Sequence, residues 1–176
     1  MNKKWIYLFL ALALPGLIFV FLKRFGKNEF NVPIYFEKGI AADSVCGFST
    51  SAAYQVPDSL INKYYLKKSR ARVAVVYPFV KDDLKEVERI AGKYSNDELE
   101  VTLFSGIQNN PTTSLDKEFL DYNQFGTVVF CLLRIQEPWS VVLLDNKNQI
   151  RGFYDGSRRD EMDRLDLELS ILLKKY

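Results

Sequence analysis

Histidine is absent from this chain of 176 residues, and cysteine occurs only twice, at positions 46 and 131. The first absence excludes a histidine general base, Ser-His and Cys-His nucleophile pairs, and any imidazole metal ligand. Two cysteines are too few for a disulfide framework, and without imidazole partners they fall short of an ordinary zinc or copper donor set. No glycine-rich phosphate loop, internal repeat or low-complexity tract occurs. A basic block or a Lys/Arg face interleaved with aromatics is also lacking, which argues against a nucleic-acid partner. The short cluster Lys67, Lys68, Arg70 and Arg72 reads as a solvated approach to a strand.

Charge is unevenly spread. The formal +2 of the whole chain hides four basic residues and no acid in positions 1–24, leaving 20 basic against 22 acidic residues beyond them. Within that basic end, Trp5 to Leu22 (WIYLFLALALPGLIFVFL) is uncharged. As a helix it would span about 27 Å, long enough to cross a bilayer. The run ends directly at Lys23-Arg24-Phe25 with no small-residue cleavage site behind it, which favours a retained anchor over a cleaved signal. Pro15-Gly16 is compatible with a membrane helix. Lys3 and Lys4 face Lys23, Arg24 and Lys27 across the run, so the charge count does not orient it. The expected organisation is a short cytoplasmic amino-terminal segment (1–4), a transmembrane anchor (5–22) whose partner is the lipid bilayer, a juxtamembrane linker and lead-in (23–69), and one folded domain (70–176).

The linker contains FNVPIYF (30–36), which suits either a docked edge strand or a stalk, and Ala41 to Tyr64 reads as irregular, with a short helix around Pro57 to Tyr65. From Arg70 the pattern sharpens. RARVAVVYPF (70–79) holds a continuous apolar run centred on Val73 to Tyr77, as in a strand buried on both faces. Leu84, Val87, Ala91 and Tyr94 then fall on one helical stripe, and ELEVTLFS (98–105) alternates as a strand, so a βαβ unit with parallel strands is expected. Thr113 or Ser114 is placed to cap a short helix carrying Leu115, Phe119 and Tyr122 on one face. TVVFCLLRI (127–135) has the apolar, β-branched character of another strand. Ser140 to Asp145, a turn at Asn146 to Asn148, and Gln149 to Tyr154 form a hairpin. The last helix runs from Arg158 to Lys175 with Met162, Leu165, Leu169 and Leu172 in a stripe, Ser157 as its cap and Asp160 at its positive end.

The hairpin and closing helix carry a resemblance. LLD at Leu143 to Asp145, IRGFYDG at Ile150 to Gly156 and the acidic start of the helix are similar to the carboxy-terminal third of the SCO/SenC proteins, and Phe125-Gly126 resembles a Phe-Gly of that family. The resemblance implies an α/β fold, a thioredoxin-like α/β/α sandwich with a central mixed sheet, and a protein of respiratory oxidase assembly. It also implies a bacterial inner-membrane location, single-pass, with the soluble domain facing the periplasm and a protein partner in a membrane complex. SCO-like proteins hold copper through Cys-x-x-x-Cys after the first core strand and a histidine ahead of the hairpin strand. Here the first place falls on PFVKDD (78–83), without cysteine, and the second on or near Glu137. Neither a metal nor another cofactor is therefore expected, and no catalytic residue. Glu137, Pro138 and Trp139 are left as a remnant of the family's site face, with Pro138 near the place of a thioredoxin-type cis-proline.

Cys131, inside VVFCLLR, suits a small buried hydrophobe, whereas Cys46 in the lead-in is the candidate reactive thiol. A Cys46–Cys131 bond is chemically allowed outside the cytoplasm, but spacing does not determine their pairing. Three readings follow: a membrane-anchored, non-catalytic SCO-like accessory or scaffold, a thiol oxidoreductase or metal carrier using Cys46, and a generic anchored interaction domain.

Overall fold

The computed structural model describes residues 3–25, 31–42, 44–64, 69–77, 84–106, 111–136 and 138–174, without the side chains at 3, 5–10, 12, 22, 25, 60 and 64. The chain divides into two compact units, Met1–Asn31 and Val32–Tyr176. The first contains helix α1 (Lys3–Phe25), with Pro15 inside it and Lys23 and Arg24 in its last turn. Among the described residues no helix is long and apolar enough to cross a membrane.

The second unit is built on strand β1 (Ala71–Tyr77), whose ARVAVV is buried at every position. β1 lies parallel to β2 (Leu99–Gly106), with Val73 opposite Val101, and antiparallel to β4 (Val141–Asp145), with Val73 opposite Leu143. β3 (Asp116–Leu120) joins β2 in parallel and β5 (Ile150–Tyr154) joins β4 antiparallel, so the sheet runs β3-β2-β1-β4-β5. A strand in the middle of a sheet covered on both sides has no solvent face, which is why its sequence is apolar without alternation. Val73 and Val75 enter a core made with Val87 and Ile90 of α3 (Lys85–Ala91) and Met162, Leu165 and Leu169 of α5 (Arg159–Leu172). Ala74 and Val76 enter a second core, with Val128, Val129 and Leu133 on the opposite face. A β1-α3-β2 unit followed by the β4-β5 hairpin and a closing helix, in this order and with β4 antiparallel to β1, is the thioredoxin-like arrangement.

Two expected elements exchange character. The segment holding Leu115 and Phe119 is strand β3 rather than a helix, and helix α4 (Tyr122–Gly126) begins only after it. Thr113 and Ser114 do not cap it: the Thr113 hydroxyl donates to Glu88 Oε1 at 2.5 Å, and the Ser114 N–H donates to the same oxygen at 3.0 Å. Asp121 takes the capping place, accepting from Gln124 N at 2.8 Å while Gln124 Oε1 accepts from Asp121 N at 3.4 Å. Conversely, Thr127–Leu132 continues α4 as a π-helical segment and is not a strand, as the Leu133 N–H donating to Val128 O at 2.8 Å shows. Its valines match β propensity, but the winding turns Val128, Val129 and Leu133 onto the sheet, and tertiary burial overrides local preference.

The lead-in also packs. Val32, Ile40, Tyr54 and Val56 are buried, Ile61 of α2 (Asp58–Tyr64) joins the same core, and Ile40 bridges Thr50. Residues 31–40 form no strand; instead Tyr35 N donates to Ile150 O at 2.9 Å and Val56 N donates to Asn148 O at 2.9 Å. Arg72 is not part of a solvated approach to β1, being buried with Nη1 donating to Asn148 Oδ1 at 3.0 Å.

At the hairpin turn, Asp145 Oδ1 accepts from Lys147 N at 2.8 Å and Gln149 N at 3.0 Å, and Asn148 takes the left-handed conformation (φ 61°). Leu143 pairs with Gly152 but Leu144 with Ile150, so Arg151 is a bulge residue; its guanidinium reaches Asp145 and donates to the Val32 carbonyl. Three residues on, the Tyr154 ring folds back over Gly152 and its hydroxyl donates to Glu168 Oε2 at 2.6 Å. The closing helix starts one residue later than expected, with Arg158 in the cap position and no side-chain cap, while Ser157 N donates to Asp155 Oδ1 at 2.9 Å. At its far end Arg70 Nη2 donates to Leu173 O at 2.9 Å, a cation at the negative pole.

A β-carbon added at Gly152 would lie 2.2 Å from the Tyr154 hydroxyl oxygen and 2.5 Å from its Cζ. Gly152→Ala is expected to cost about 1–3 kcal/mol in chemical denaturation. In a double-mutant cycle with Tyr154→Ala the two losses should be less than additive; additive losses would mean that the ring does not block this position.

Candidate functional site

In sheets of this class the carboxyl ends of the parallel strands are where backbone groups and helix termini converge on a ligand. Here that end of β1 is Tyr77, and the following positions 78–83, where the SCO-like cysteine pair would fall, lie outside the described residues, as does Glu137. Across from β1, Val76 N donates to Ser140 O at 2.8 Å, so the chain before β4 borders the same end. Pro138 is exposed there; Trp139 is half-buried against the core on the π-helical side. Ser140 is fully buried, and its Oγ accepts from Gly156 N at 2.8 Å, tying the start of β4 to the start of α5. The structure thus brings Pro138 and Trp139 of the expected face to the end of β1, with Trp139 also serving the core.

The second candidate lies on the layer formed by the lead-in and the π-helical segment. Cys46 is not a free thiol: it is bonded to Cys131, with Cα atoms 5.3 Å apart, inside the usual disulfide range. Neither cysteine is free. Cys131 is 8% exposed, whereas Cys46 is half-buried. Arg134, three residues after Cys131, places Nη1 3.9 Å from Cys46 Sγ and its guanidinium carbon 4.9 Å from the centre of the Phe48 ring. Phe48 stacks on Tyr54 at 6.2 Å between centroids, and the Tyr54 hydroxyl donates to Leu132 O at 2.7 Å. Burial pushes the Tyr54 hydroxyl up to about 12, against the opposing effect of Arg134.

Reading 127–135 as a strand concealed this cluster. Strand spacing sets Cys131 and Arg134 on opposite faces, whereas here the segment ends at Leu132 and Arg134, just beyond it with φ 56°, reaches Cys46. The disulfide itself had no sequence signal beyond the presence of two cysteines.

Two further carboxylates serve the frame. Asp166 accepts from Tyr94 at 2.6 Å and Glu168 from Tyr154, and both phenols are held above their ordinary range, by burial first and then by these bonds. A pocket of about 370 Å³ between α3 and the start of β2 is bordered by Glu88, Glu100 and Asp116. Among the described residues no group of three or more His, Cys, Asp or Glu side chains is placed to hold a metal ion.

No protein-family model and no curated protein sequence matches the chain. Among solved structures, it is similar to BsSco, a member of the Sco family of cytochrome c oxidase assembly proteins (TM-score 0.47, 12% identity, covering 85% of this chain and 100% of that one). It is also similar to Trgpx in its apo form (TM-score 0.44, 11% identity, 82% and 97% covered) and to Xanthomonas campestris peroxiredoxin Q (TM-score 0.40, 11% identity, 78% and 93% covered). The fold assignment rests on strand order and pairing.

Two measurements follow from this geometry. Replacing both cysteines by alanine opens a link between residues 85 apart and is expected to lower stability by about 2–4 kcal/mol, read from denaturant midpoints. Below pH 10 Tyr54 is protonated in both the folded and unfolded chain; between 10 and about 12 only the unfolded chain releases its proton, so stability falls as pH rises through this window. Tyr94 and Tyr154 act in the same direction. Of the ten tyrosines, a phenolate absorbance titration should leave at least these three unionised until the protein unfolds.

Proposed function

We propose that this chain is a membrane-anchored accessory protein of the SCO-like thioredoxin group, with its folded unit outside the cytoplasm. It acts by contact with a protein partner in respiratory oxidase assembly rather than by metal or thiol chemistry at the end of β1. The observation that carries the reading is the Cys46–Cys131 bond, which joins the lead-in to the π-helical segment and leaves neither cysteine free in a chain without histidine. A bond of this kind persists in an oxidising compartment, which supports a periplasmic side. The uncharged run at residues 5–22, within a helix ending in Lys23 and Arg24, supports the inner-membrane anchor. The contact face is the end of β1 bordered by Pro138 and Trp139, next in sequence to Glu137, which keeps the place of the family's site without its ligands.

A second reading is favoured by one specific observation, the partial exposure of Cys46 within its bond to Cys131. On this reading the chain is a thiol–disulfide exchange protein.

The contact reading is tested in native membranes. A photo-crosslinking residue at exposed Pro138 should capture an oxidase subunit or assembly factor, while the same residue at exposed Leu167, on α5, should not. Deletion of the protein should lower the level of assembled oxidase. Normal oxidase together with no adduct at 138 would discard the proposal.

A further inference from the structure

We propose that Cys46–Cys131 is an exchange-competent disulfide for the dithiols of partner proteins, with Cys46 as the attacked sulfur and Arg134 as the group that stabilises its thiolate. This rests on the exchange reading of Cys46. Three independent features support it. The two sulfurs differ in access, Cys46 being half-buried and Cys131 8% exposed, so an incoming thiolate meets Cys46 first. The Arg134 guanidinium lies 3.9 Å from Cys46 Sγ and rests on the Phe48 ring, which holds its plane in place. Finally, Arg134 sits just beyond the end of the π-helical segment with φ 56°, in the left-handed region. That position is ordinarily given to glycine, because a side chain there crowds the following carbonyl. A strained arginine that ends a helix and delivers its charge to a sulfur is the pattern of a functional constraint.

The exchange balances as follows. A substrate thiolate attacks Cys46 Sγ and the bond to Cys131 breaks; Cys131 takes the electron pair and a proton, becoming a thiol in apolar surroundings. The second substrate thiolate attacks its own partner sulfur, now joined to Cys46. Cys46 leaves as a thiolate beside Arg134, where the adjacent cation makes it a better leaving group. The substrate dithiol has lost two electrons and become a disulfide, the protein pair has gained them, and one of the two substrate protons is on Cys131 while the other is in solvent.

Two measurements on the full chain in detergent separate the exchange reading from the role of Arg134. In mixtures of reduced and oxidised glutathione the pair should interconvert reversibly while far-UV circular dichroism stays unchanged. A pair that is reduced only on unfolding overturns exchange at this site altogether. In a Cys131→Ser background, the rate of Cys46 alkylation by iodoacetamide is followed against pH. Arg134→Gly suits the left-handed backbone and preserves the helix end, and should move the midpoint upward by about one unit and slow alkylation at neutral pH about tenfold, with Arg134→Lys restoring most of the rate. Superimposable pH profiles with Arg134 in place and in the Arg134→Gly variant would overturn the role of Arg134 while leaving exchange itself intact.

Discussion

Everything in the folded unit depends on β1 having no face toward water. A central strand of alanine and valine needs a coat on each side, and the two coats are made differently. One consists of α3 and α5, whose apolar stripes recur with helical spacing and need nothing more than their own amphipathicity to dock. The other is assembled from the lead-in, α2 and the π-helical segment, none of which is a long amphipathic element. That coat is held by tethers: lead-in hydrogen bonds to the hairpin at Ile150 and Asn148, the Tyr54 bond to Leu132, and the covalent link between Cys46 and Cys131.

The hairpin motif has a mechanical explanation in the same terms. Gly152 is where the Tyr154 ring lies, Gly156 brings its N–H to the Ser140 hydroxyl, and Asp145 organises the turn. Each of these residues serves the junction of β4, β5 and α5. The motif is therefore accounted for by the junction and speaks to architecture rather than chemistry.

The difference between the two coats also explains what could be read from residues alone. β1, β2, the hairpin and α5 were legible because burial imposes a period or an unbroken apolar run on them. The coat around Cys46 was not, since Val32, Ile40, Tyr54 and Val56 are spaced without a period and dock singly. Thr127 to Ile135 misled for a different reason, its β-branched residues being shaped by contact with the sheet rather than by membership of it. Pro138 and Trp139 fell at the end of β1 because counting back from Asp145 measures a rigid hairpin. Arg134 was hidden because its importance depends on where the π-helical segment ends and on a bond that spacing does not reveal.

The π-helical segment has a consequence for folding quality. TVVFCL has the residues of a β-aggregating hexapeptide, with no charge, no proline and no glycine, and it is held in a helical wind by the sheet and by the capping box before it. A chain that has not yet packed this segment against the sheet presents a sticky apolar stretch to its neighbours. Packing on the sheet thus acts as a gatekeeper during folding, keeping a strand-forming sequence wound as a helix.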